Sequence, residues 1–209
     1  GIRHQLSINP RRVEMLRERY AADRIVQSVS CYRPEETFEQ LVQRRLSLFY
    51  GKTLEEIGND THSTLNFQAK DFAYHAIRAM LDIHTRRIQE FENAGITVKS
   101  VALEAQKDMV KESMSFPYIR YVEIIKQEWE ESDWYKTLSS KFLFVVFTKS
   151  PDNDRRQMKL LKVFFWNMPY KDLVVAEELW EDTKRKVADN DYDHFITTLK
   201  HGICHVRPH

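Results

Sequence analysis

The stretch Ile96-Thr97-Val98-Lys99-Ser100-Val101-Ala102-Leu103 is rich in β-branched residues and alternates, which predicts a strand. Side chains two positions apart share a face of a strand, so Thr97 and Lys99 point the same way. A lysine held there can stabilise the negative charge that develops when a phosphodiester is attacked. That chemistry also asks for two carboxylates beside it, holding a divalent cation that acidifies the attacking water. Magnesium takes hard, anionic oxygens, and the Thr97 hydroxyl is a poor substitute for one. The nearby acids from which a displaced site could be rebuilt are Glu90, Glu104, Asp108 and Glu112. A lone lysine on a strand otherwise simply faces solvent.

Other groupings carry less chemistry. His201, Cys204, His205 and His209 suggest zinc, yet Cys204 and His205 are neighbours on a strand and face opposite sides, so a shared tetrahedral site is awkward and no metal ligands are assigned. His75 and His84 read as packing or surface residues. Tyr118, Tyr121, Trp129, Trp134 and Tyr135 read as core. The doublets Arg11-Arg12, Arg44-Arg45, Arg86-Arg87 and Arg155-Arg156 and the triplet Lys184-Arg185-Lys186 read as solvated faces.

The elements that must position Lys99 follow from pattern. Asn9-Pro10 opens a helix expected to reach about Val29, and Pro34 restarts one over Arg33 to Tyr50. Thr53-Leu54-Glu55-Glu56 is a capping box for a short third helix, and a fourth is expected over Asn66 to Ile83. After Gly95 the pattern changes. Phe142 to Phe147 is apolar on both faces, as a central strand is, and Leu160 to Trp166 is similar. Lys171 to Val187 is an amphipathic helix, and Gly202 to Val206 a last strand. Helices followed by a mixed sheet with helices on it give an α/β or α+β layout.

Composition bounds the rest. A chain of 209 residues buries a real core. With 32 basic and 31 acidic residues it shows no general basic footprint for nucleic acid. Five glycines leave no phosphate-cradling Gly-rich loop, and two distant cysteines, Cys31 and Cys204, suit a reducing, cytoplasmic setting. There is no apolar run of membrane-spanning length and no signal-peptide pattern. Beginning at Gly1 and not Met, the sequence reads as a trimmed piece.

Blocks along the chain resemble the C-terminal domain of Sau-type type II restriction endonucleases. They are Gly95-Ile96-Thr97-Val98-Lys99-Ser100, Lys111-Glu112-Ser113-Met114-Ser115-Phe116, Glu128-Trp129-Glu130-Glu131-Ser132, and Lys141 to Phe147. The match continues through Phe165-Trp166-Asn167-Met168-Pro169, Trp180-Glu181-Asp182-Thr183 and Ile203 to His209. It covers roughly Tyr50 to the end, and the layout is more distantly similar to the mismatch-repair endonuclease MutH. The resemblance implies a restriction-endonuclease-like (MutH-like) α/β fold, a mixed sheet flanked by helices that grips duplex DNA in a cleft. It implies a division into an N-terminal helical segment, 1–49, and a MutH-like DNA-binding domain, 50–209, whose family continues past His209 with another strand and a basic loop.

Active copies of the family carry an Asp and then, seven residues on, Glu-x-Lys. These fall on Glu90, Thr97 and Lys99, so the motif is degenerate; a further upstream acid falls at Asp71 or Tyr74 depending on register. Arg207-Pro208-His209 sits where MutH-type enzymes have Arg-Pro-Lys on the loop that reads GATC, and the arginine fork suits guanine O6 and N7. The bland alternative is a fraying terminus. Lys141 matches a family lysine near the DNA, or is a strand-end lysine reaching water.

The resemblance thus implies a GATC-specific duplex-DNA-binding effector domain in a bacterial restriction-modification enzyme. It would be inactive alone and need no cofactor of its own, while the parent, a type II site-specific deoxyribonuclease, uses Mg2+. Its partners would be DNA containing GATC, the catalytic domain of the same polypeptide, and a second copy on DNA, with no membrane role. The alternatives are an active divalent-metal-dependent endonuclease in its own right, or a helical protein-interaction module with no DNA role.

Overall fold

The computed structural model describes residues 4–8, 35–84, 86–104, 114–197 and 202–208. The helix expected from Asn9 to Val29 lies outside them, as do Asp108, Glu112, His201 and His209. The chain forms two compact units, residues 19–110 with 141–166 and residues 1–18 with 111–140 and 167–209. Neither unit begins or ends at residue 49, because strands distant in sequence pair within each.

In the first unit, helices α1 (Phe38–Ser47), α2 (Leu54–Asp60), α3 (Phe72–Met80) and α4 (Gln89–Asn93) accompany a three-stranded sheet of β2 (Ile96–Leu103), β4 (Lys141–Thr148) and β5 (Lys159–Asn167), in the order β2-β4-β5. The expected start of α1 at Arg33 moves to Phe38, since Thr37 caps it. The Thr37 hydroxyl accepts from the Gln40 amide, and the Gln40 side chain accepts from the Thr37 amide. The box predicted at Thr53 forms with Glu56.

Helix α3 is shorter than the predicted Asn66–Ile83. The Asn66 side chain accepts from the Gln68 amide at 3.1 Å, and Arg155 Nη1 donates to the carbonyls of Phe67 and Ala69 at 3.0 and 3.3 Å. These three bonds hold 66–71 in turns; the first is the usual way an Asn competes with a helix.

β2 matches its expected span and runs parallel to β4. β4 is central, with Phe142 to Phe147 all buried. Leu143, Val145 and Phe147 join Ile57, Ala76, Ile77 and Phe91 in the helix-covered core. On its other face Phe142 and Phe144 stack with each other and lie 5.9 and 5.7 Å from Trp166, centroid to centroid. The outer edge of β5 meets residues 50–54: Tyr50 Oη accepts from the Val163 amide at 3.0 Å and donates to its carbonyl at 3.3 Å, and Gly51 N–H donates to Leu160 O. Burial raises the Tyr50 phenol above its ordinary value.

The second unit holds a sheet ordered β3-β1-β6, from β1 (His4–Ile8), β3 (Met114–Tyr118) and β6 (Cys204–Pro208), with helices α5 (Tyr121–Ile124), α6 (Asp133–Leu138) and α7 (Tyr170–Ala188). β1 is a strand within the segment expected to be helical, antiparallel to both neighbours. β6 lies two residues beyond the predicted Gly202–Val206, so Arg207 sits in a strand and not a loop. α7 buries Trp180, 5.8 Å from Trp129 between ring centroids, and Lys184 Nζ lies 4.7 Å over the Trp180 ring while donating to Gln127 O. No helix among the described residues is long and apolar enough to cross a membrane.

Candidate functional site

Helix α4 ends at Asn93, and Gly95 turns the chain into β2 with φ +61°. That left-handed conformation favours glycine and sets the register of every side chain after it. Ile96 and Val98 go to the helix-covered core, so Thr97 and Lys99 share the opposite face, in register with Phe142 and Phe144 of β4. Thr97 is exposed and Lys99 is partly buried. Burial beside the aromatic face lowers the Lys99 ammonium below its ordinary value, because water that would solvate the charge is excluded.

Glu90 is exposed on α4, which packs beside β2. The two upstream positions serve elsewhere. Asp71 pairs with His75 at 3.3 Å, and the Tyr74 hydroxyl accepts the Ile88 amide at 2.8 Å. Glu104 pairs with Lys149 at 3.0 Å. One carboxylate and one neutral hydroxyl at positions 90 and 97 do not fit Mg2+, and among the described residues no three His, Cys, Asp or Glu side chains gather as a metal site. Burial pushes the Cys204 thiol up to about 12, which keeps it from the thiolate form that zinc binds.

Lys141 opens β4 on the same face as Leu143, opposite that of Lys99, and its ammonium pairs with Glu39 of α1. Nothing in the sequence marks Glu39, which is 102 positions away. Arg207 lies in β6, partly buried, and its Nη2 donates to Ser115 Oγ of β3 at 2.9 Å. Ser115 stands within a block of the resemblance, but only the fold shows its contact. Lys99 and Arg207 belong to different units.

Residues 80–178 match the family described as DNA mismatch repair enzyme MutH. The chain is 25% identical over 208 residues to the type II restriction enzyme Sau3AI of Staphylococcus aureus, across 84% of this chain and 41% of that enzyme. It therefore spans about two-fifths of the length of the curated relative it matches. The matched region runs from the end of α3 through β2, β4 and β5 into α7, the elements that carry Lys99 and Lys141. Taken with the α/β architecture, residues 80–178 are similar to the MutH family, whose fold is restriction-endonuclease-like, and most of the chain is similar to part of a type II restriction enzyme.

Proposed function

We propose that this chain is a sequence-specific duplex-DNA-binding domain that recognises GATC, a catalytically degenerate effector within a type II restriction endonuclease. The observation that carries the reading is Thr97, an exposed hydroxyl beside the partly buried Lys99, where the related active motif has an acid. Without that carboxylate the strand has a cation for the phosphate and no second anionic ligand for Mg2+. The domain then binds one copy of the site and promotes cutting by a Mg2+-dependent catalytic domain elsewhere in the parent polypeptide, through looping or self-association on DNA. Arg207, Pro208 and His209 are assigned to base and backbone contact, with Lys141 a minor contributor because Glu39 already offsets its charge. The setting is the bacterial cytoplasm.

A second reading, an active nuclease using Lys99 and Glu90, draws on the burial that lowers the Lys99 ammonium, a perturbation common in catalytic lysines. One experiment separates them. The chain is mixed with a labelled duplex carrying one GATC, and with a scrambled duplex, at low salt with magnesium. A GATC-specific shift without nicks supports the effector reading. Nicks that vanish with EDTA and with Lys99→Ala overturn it in favour of the nuclease, and absence of any shift removes the DNA role.

A further inference from the structure

We propose that Ser115 is a positioning residue for Arg207, fixing the guanidinium in the orientation from which it reads a base. This rests on the reading of Arg207 as a base-contacting residue.

Arg207 and Ser115 lie on the two outer strands of one sheet. β6 pairs with β1 at Gln5↔Arg207, and β1 pairs with β3 at Ser7↔Ser115. Strands lie about 4.8 Å apart and the two residues are staggered by two positions along β1, so the arginine reaches across β1 over a backbone separation of about 12 Å to place Nη2 at 2.9 Å from Ser115 Oγ. Both ends are held by packed elements. Met114 and Phe116 flank Ser115 and are buried, and Cys204 and Val206 of β6 are buried, with the Val206 amide bonded to Ile196 O at 3.1 Å. A flexible side chain is thereby tied to a fixed point of the sheet.

The chemical nature of the acceptor matters as much as its place. A carboxylate would orient the fork but also neutralise it, and DNA would have to displace it. Lys141 has such a partner in Glu39. The Ser115 hydroxyl is neutral, and it holds Nη2 through one of the guanidinium's five N–H donors. Guanine recognition needs two parallel N–H groups in a fixed plane. A side chain already held in that plane loses less rotamer freedom on binding, and this gain falls on the specific complex.

The test compares the unaltered chain with Arg207→Ala, Ser115→Ala and Ser115→Thr, by fluorescence anisotropy on GATC and scrambled duplexes at one salt concentration, with a thermal melt of each protein. Arg207→Ala is expected to abolish the preference for GATC. Ser115→Ala should lower that preference by about three- to tenfold, as expected for loss of one hydrogen bond, with scrambled-duplex affinity and melting temperature unchanged. Ser115→Thr, which keeps a hydroxyl, should restore it. If Ser115→Ala keeps the full preference while Arg207→Ala loses it, Ser115 has no positioning role and the reading of Arg207 stands. Equal loss on both duplexes, or a lower melting temperature without rescue by threonine, makes Ser115 a structural residue and overturns the proposal. A preference that survives Arg207→Ala, or is absent in the unaltered chain, overturns the reading of Arg207 and this proposal with it.

Discussion

Strands β2 and β6 each present a cation, Lys99 and Arg207, and the two sit in opposite circumstances. Lys99 is partly buried with its charge disfavoured, on a face where Thr97 offers a hydroxyl in place of an acid. Arg207 is anchored by a hydroxyl that orients it and takes no charge from it. On the proposed reading, a neutral oxygen is a defect beside one cation and an asset beside the other. The difference lies in the chemistry each cation would serve. Metal-assisted hydrolysis needs anionic ligands, while base reading needs a charged fork held still.

Arg207 is where this contrast breaks most visibly. Replacing it with Ala should cost about ten- to a hundredfold in GATC affinity and little on scrambled DNA, read by titration on both duplexes. An equal loss on both would make Arg207 a phosphate contact. Gly95→Ala should destabilise the chain by about 1 kcal/mol or more, because its φ of +61° strains a side chain even in open space; chemical denaturation measures this. An unchanged midpoint would mean that the turn into β2 relaxes without cost.

Lys99 gives a pH-dependent test. Burial lowers its folded-state value below the ordinary 10.5, so the unfolded chain holds the proton to higher pH. The burial penalty is therefore fully present below the folded value and is relieved as pH rises towards 10.5, so this group's contribution to stability rises with pH there. Lys99→Met should raise the melting temperature by about 1–3 °C at pH 7, and the gain should shrink near pH 10. A gain that does not change with pH would mean that packing, and not charge, is responsible. The smallest effect is expected at Lys141. Its Ala variant should weaken both duplexes about twofold or less, because a partly exposed ion pair with Glu39 already offsets the charge. A loss confined to GATC would instead put Lys141 at a base.

Much of the scaffold around Lys99 was legible because its signals are local. Gly95 and the alternation after it fix β2, the unbroken apolar run fixes β4, and the Thr53 box fixes the start of α2. What was not legible depends on partners far along the chain. β1 is five residues whose pairing lies more than a hundred positions away, and β6 ends later than its apolar pattern because β1 continues the ladder to Pro208. The Glu39–Lys141 pair spans 102 positions and the Ser115–Arg207 bond 92, separations at which side-chain pattern says nothing.

The Tyr50 phenol has a consequence for assembly. Its oxygen saturates both the amide and the carbonyl of Val163 on the outer side of β5, while residues 51–54 take up the ladder positions towards Met158. An edge strand left open invites a neighbour to extend the sheet, and here a single ring fills the place a neighbour would take. On the proposed reading, copies that gather on DNA would not join strand to strand at β5 without first displacing the partly buried Tyr50.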